Sequence, residues 1–143
     1  MTVKTIKTSC IGLALAMSLA FAVSGAAFAA EPGQVVIALY YVAPGKQIEF
    51  LKWAAEQAAV DKEVGIPAAQ WYAHTDGDAW DYLGIRSVTT PEQDKKSDEA
   101  MKKRGMKTGL AAGVVLRQYI SRHTDTYALG PVSAAELLKL ATQ

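Results

Sequence analysis

The sequence predicts a single α+β domain built on an antiparallel sheet. Three observations predict it. The stretch "QVVIALYYV", Gln34 to Val42, is rich in β-branched and aromatic residues. An Asp76-Gly77 turn sits between two aromatic-rich runs. Capped segments with helical periodicity fill the intervals between strand signals.

Gln34 to Val42 is apolar on both of its faces, which predicts a central strand. "APG" ends it. From Lys46 to Val64, Ile48, Leu51, Ala55, Ala58, Ala59 and Lys62 fall at helical spacing as one stripe, with Glu49, Glu56 and Glu63 elsewhere on the helix. Gly65 suits a C-terminal cap, and Pro67 blocks continuation. In "AAQWYAHTDGDAWDYLGIRSV" a two-residue Asp76-Gly77 turn would pair His74 with Ala79, Tyr72 with Asp81 and Trp71 with Tyr82. One hairpin face then carries Gln70, Tyr72, His74, Asp81, Leu83 and Ile85, and the other Trp71, Ala73, Trp80, Tyr82 and Arg86.

"TTPEQ" opens the next helix, with Thr90 as N-cap, Pro91 first and Gln93 completing a capping box. This helix is mostly charged to Arg104, breaks or bends near Gly105, and resumes as an apolar helix through "RQYISR". Gly109 and Gly113, four apart, suit close helix packing. "HTDTYALG" reads as a short last strand, and Ser133 with Glu136 caps a terminal helix. The order is βαββαβ, as in ferredoxin-like folds, plus an extra C-terminal helix.

This order, with "FLKWAAE" on a first helix that follows a strand ending "YYVAPGK", resembles the dimeric α/β-barrel superfamily. That superfamily includes antibiotic-biosynthesis-type monooxygenases, NIPSNAP-like and EthD-like proteins, haem-degrading enzymes and stress-response barrel proteins. The resemblance covers most of Gln34 to Pro131. It implies a homodimer whose two sheets pair into a barrel, with a ligand cleft between helices and sheet. No catalytic set carries over. The Asn-Trp-His set of the haem-degrading branch has no counterpart, because the sequence contains no asparagine.

The first residues read as an export signal. Lys4 and Lys7 precede an apolar run from Ile11 to about Val23, and Ala27 and Ala29 permit cleavage before Ala30. That run is short for a membrane anchor. Residues 1–29 are therefore expected to be removed, leaving 30–143 as one domain in the periplasm or outside a bacterial cell. Cys10, the sole cysteine, would leave with the signal, so the mature domain must stand without disulfides. Removing Lys4 and Lys7 from the 15 basic residues leaves 13 against 14 acidic ones, a net charge of −1. That balance gives nucleic acid no electrostatic footprint.

The candidate chemistry sits on the hairpin and at the two histidines, His74 and His123. Tyr72, His74 and Asp81 share a face, where a carboxylate could orient an imidazole for acid–base catalysis. Trp71, Trp80, Tyr82 and Arg86 form an aromatic wall with one cation, suited to an aromatic or anionic ligand. The plain reading of both groups is packing and solvated polarity. His123 is expected at the end of a helix, where a cation suits the helix dipole, or at the cleft mouth as a ligand-binding residue. A metal site shared by His74 and His123 is not expected, since the second and fourth strands are read as opposite edges running the same way, which puts the histidines at opposite corners. "DGD" lacks calcium-loop spacing. No nucleophile elbow, phosphate loop or nucleotide fingerprint is present, and nothing calls for a cofactor. Three readings follow: a small-molecule-binding protein, a cofactor-poor oxygenase or isomerase, or a dimeric interaction module without a ligand.

Overall fold

A computed structural model describes residues 33–143. The expected export segment, 1–29, lies outside the described residues. The elements are β1 (Gly33–Val42), α1 (Gln47–Glu63), β2 (Gln70–Ala73), β3 (Tyr82–Ser87), α2 (Pro91–Lys103), α3 (Gly109–Leu116), β4 (Ile120–Gly130) and α4 (Ala134–Ala141). The four strands form one sheet in the order β2-β3-β1-β4, with every neighbouring pair antiparallel. The fold is ferredoxin-like, with α4 added at the C-terminus. Among the described residues, no helix is long and apolar enough to cross a membrane.

Local chemistry sets most boundaries. Thr90 Oγ1 accepts the Gln93 N–H at 3.2 Å, while Gln93 Oε1 accepts the Thr90 N–H at 2.9 Å. The reciprocal pair satisfies donors that a helix start leaves open. Ser133 and Glu136 repeat the device at α4. Gly65 (φ 76°) and Gly105 (φ 72°) end α1 and α2 in left-handed conformations that side chains disfavour.

The core sits at one end of the sheet. Phe50 and Val60 are fully enclosed, and Val42, Phe50 and Ile120 form its centre with Tyr40, Trp53, Tyr82, Leu116 and Tyr119 around them. Phe50 packs against Tyr40 (5.0 Å between ring centres), Trp53 (5.9 Å), Trp71 (6.1 Å) and Tyr82 (5.4 Å). It ties α1 to three strands.

Four sequence expectations are corrected. The stripe of α1 that enters the core is Phe50, Ala54 and Val60, whereas Ile48 and Leu51 are 62% and 41% exposed. Alanines on every side of this helix blur its periodicity, and the enclosed Phe50 decides which face turns inward. The hairpin is also wider than a two-residue turn. Its register is Trp71↔Gly84, Tyr72↔Leu83 and Ala73↔Tyr82, closed by the His74 N–H on the Asp81 carbonyl at 2.9 Å. Asp81 is pulled away from the turn because its Oδ2 accepts the Val42 N–H at 2.7 Å. Because this register differs from the expected one by two residues, the face assignments of the paired strand residues survive, though not that of Trp80 in the loop.

The fourth strand begins at Ile120, so "ISR" is strand rather than helix, and His123 does not end a helix. Ile120 pairs with Val42 across a bulge in which Ser121 is the extra residue, its Oγ donating to the Tyr41 carbonyl at 3.0 Å. Burial of Ile120 in the core outweighs the helical reading of that run. Finally, α3 has no buried residue. Nothing packs within 4 Å of a Cβ built at Gly109 or Gly113, and Leu110 is 94% exposed.

Asp81 therefore has a structural task. Asp81→Ala is expected to lower stability by ~1–3 kcal/mol, because it leaves a half-buried N–H without its acceptor. Asp81→Asn, which keeps an acceptor oxygen, should lose less. Urea denaturation of the two variants checks this, and equal losses would contradict it.

Candidate functional site

The β1–β3 and β1–β4 registers put Val36, Ala38, Tyr40, Tyr82, Gly84, Arg86, His123 and Asp125 on one face of the sheet, with Trp71 and Ala73 added by β2. Tyr40 contacts Phe50 of α1, so this face looks toward the helices. Between the two layers lies a cleft of about 340 Å³. That volume lies within the range of small-molecule pockets, roughly 300–1,000 Å³.

The cleft floor is a row of rings. Tyr40 stacks with Trp71 at 5.6 Å (29° between planes) and with His123 at 6.1 Å (15°). Trp71 lies over Gly84, opposite it on β3, where a Cβ would just touch the indole at 3.4 Å and a larger side chain would crowd it. Trp53, Gln57 and Asp61 of α1 form one wall, and Asp94, Ser97 and Met101 of α2 another. Arg86 and Asp125 complete the lining from the sheet.

The polar groups of the cleft differ in their surroundings. Burial pushes the Tyr40 phenol pKa up, the negative charge of Asp125 adds to this, and Arg86 opposes it. Tyr40 is thus held as a neutral hydrogen-bond donor. Burial also raises the Asp61 carboxyl, again against the pull of Arg86. His123 Nε2 lies 3.9 Å from Asp125 Oδ2, close enough for charge attraction when the imidazole is protonated but too long for a hydrogen bond. Asp94 Oδ1 accepts the Thr89 hydroxyl at 2.6 Å, which fixes the carboxylate at the α2 start.

Of the residues singled out in the sequence, Trp71, Arg86 and His123 line this cleft. Tyr82 instead stacks on Phe50 at 5.4 Å, inside the core. Trp80 lies in the hairpin loop and packs edge-on against His74 at 5.0 Å. Tyr72, His74 and Asp81 are not joined to one another by side-chain hydrogen bonds: Tyr72 donates to Gln70 and Asp81 accepts from Val42. His74 Nε2 is buried without a hydrogen-bond partner among the described residues.

The two histidines are at the same end of the sheet, since β2 and β4 run in opposite directions, not the same one. They remain on opposite edges, about three strand spacings of ~4.8 Å apart, and alternation puts them on opposite faces. Among the described residues, no group of three or more His, Asp or Glu could hold a metal ion.

Tyr40, Trp53, Asp61 and Asp125 line the cleft without having been singled out, although simple spacing carries three of them. Tyr40 alternates with Val36 and Ala38, Asp61 lies seven positions from the buried Ala54, and Asp125 is two residues beyond His123 on the same strand face. A larger hollow of about 540 Å³ lies mainly on the opposite face of the sheet, among Val35, Ile37, Ile85, Ala128 and Leu137. Arg86 is its one ionisable lining residue, so the chemistry favours the cleft despite its smaller volume.

No protein-family profile matches the sequence, and no curated protein matches it. Solved structures do. An uncharacterized NIPSNAP domain protein from Burkholderia xenovorans is 13% identical, with 71% of this chain and 96% of that one aligned at a TM-score of 0.43. SnoaB, a cofactor-independent oxygenase from Streptomyces nogalater, is 20% identical over 69% of this chain and 92% of that one, at a TM-score of 0.42. A dimeric ferredoxin-like protein from Thermobifida fusca is 9% identical, covering 71% and 94% respectively, at a TM-score of 0.41. The chain is similar to these three proteins in fold. At these identities and scores the fold assignment stands on the strand order and registers of the chain itself.

Proposed function

We propose that this is an exported small-molecule-binding protein that works as a homodimer, with its ligand in the cleft between sheet and helices. The observation that carries the reading is the row Trp71–Tyr40–His123, half-open to solvent, at the base of a cleft of about 340 Å³. Flat rings present a large apolar contact surface, and Tyr40, Arg86 and the cleft carboxylates supply the few polar groups that orient a ligand. Calorimetric titration with a set of small aromatic compounds tests it. The reading requires at least one to bind, with Trp71→Ala weakening it; no binding across the set overturns it. Export rests on the N-terminal charge, apolar run and Ala27/Ala29 pair. N-terminal sequencing of the exported product should begin at Ala30.

The dimer rests on the other face of the sheet. Val35, Ile37, Leu39, Tyr41, Leu83 and Ile85 share it and are only half-buried, while α1, α2 and α3 contribute to the opposite side. A second copy is the partner with matching apolar area. Light scattering should give twice the chain mass, and Leu39→Lys, at the middle of that face, should give the monomer. A wild-type monomer at micromolar concentration would exclude this assembly.

A cofactor-poor enzyme is the second reading, and one observation favours it. Tyr40, His123 and Asp125 combine a neutral phenol donor with an imidazole near a carboxylate in one cleft. Conversion of a bound aromatic compound, lost in His123→Ala with binding intact, would establish it.

A further inference from the structure

We propose that the cleft selects a small organic cation, a protonated amine attached to an aromatic ring, over an anion of the same shape. This deepens the reading of the cleft as a ligand site and rests on it.

Two sets of groups converge there. Tyr40, Trp53 and Trp71 present aromatic rings, whose faces carry the negative end of the ring quadrupole and attract cations. Asp61, Asp94 and Asp125 come from three different elements, α1, α2 and β4, and all line the same space. Against them stands one permanent cation, Arg86. Among the described residues, none of the three aspartates is ion-paired to a lysine or arginine. Burial works against the charge of Asp61 and His123 stands 3.9 Å from Asp125, so Asp94 and Asp125 carry most of the charge a ligand would meet.

Charges of both signs reach a resident group: burial holds the Tyr40 proton on, the charge of Asp125 adds to this, and Arg86 opposes it. Burial resists a ligand charge of either sign, so the preference for an ammonium over a carboxylate comes from the carboxylates around the floor. An aromatic amine would use both sets, with its ring along the Trp71–Tyr40 row and its ammonium toward the carboxylates.

The experiment is calorimetric titration of the full protein with three isosteric probes: phenethylamine, 2-phenylethanol and phenylacetate. The proposal expects the amine to bind most tightly and the carboxylate most weakly. It also expects Asp125→Asn to weaken the amine on the order of tenfold, the equivalent of one partly desolvated charge contact, while leaving the alcohol unchanged. Asp61→Asn serves as a second variant should Asp125→Asn fail to fold, as judged by thermal melting. Equal binding of amine and alcohol overturns the charge preference and leaves the cleft as a site. Tightest binding of phenylacetate also overturns it. Binding of none of the three removes the cleft reading itself, and the charge preference with it.

Discussion

Phe50→Ala is expected to be the most destabilising single substitution in the domain, lowering stability by ~3–5 kcal/mol. Phe50 has no exposed surface and touches four aromatic rings from α1, β1, β2 and β3. Truncation removes the ring's transfer energy and leaves a cavity between a helix and a sheet that collapse poorly onto each other. Domains of this size are stable by ~5–15 kcal/mol, so the loss is a large share of the total. Thermal melting should show a fall in Tm of about 15–30 °C. Phe50→Leu keeps most of the volume and should lose far less. A fall below about 5 °C for Phe50→Ala would mean that this cluster is not the organising core.

How much of this was readable follows from where the determining forces act. The element order was legible because short-range signals write it. The Thr90/Gln93 and Ser133/Glu136 boxes form as their spacing predicts, and Gly65 and Gly105 end helices with positive φ. The hairpin register was not legible, since a contact between residues far apart in the chain sets it. Asp81 reaches the Val42 N–H on the central strand, and a local reading of Asp76-Gly77 cannot anticipate that. The face assignments of the paired strand residues still held, because a slip of two residues preserves the alternation of side chains.

The same distinction explains the site. Alternation alone put Trp71 and Arg86 on one hairpin face without deciding that this face lines the cleft; it does, and His123 lies there as well. Tyr40 was hidden by its setting, a strand so apolar that an aromatic ring reads as core. Asp125 was passed over because His123 was read as ending a helix rather than as part of the last strand. Beginning that strand at Ile120 puts His123 and Asp125 on one face with Tyr40 opposite His123. Trp80 was misplaced with the cleft aromatics because the loop, not the strand, holds it against His74.

Trp71→Ala should have the largest effect on ligand binding, weakening any aromatic ligand of the cleft by ~10–100-fold. Trp71 is 39% exposed and its ring is stacked on Tyr40, so one side is held by the protein and part of the residue's surface is free for a ligand. Its removal also releases Tyr40 from one side, which loosens the donor that would orient the ligand. Gly84→Val gives an independent approach to the same ring. A Cβ at Gly84 would be in ordinary contact with the indole at 3.4 Å, so the added methyls of valine are expected to displace it. Trp80→Phe is the contrast, since Trp80 packs on His74 away from the cleft. Titration calorimetry should therefore show affinity lost in Trp71→Ala and Gly84→Val and retained in Trp80→Phe. The reverse order would move the site from the cleft to the hairpin loop. It would also make the buried, unpartnered His74 Nε2 the polar group to pursue, because no other buried side-chain nitrogen or oxygen among the described residues is left without a partner.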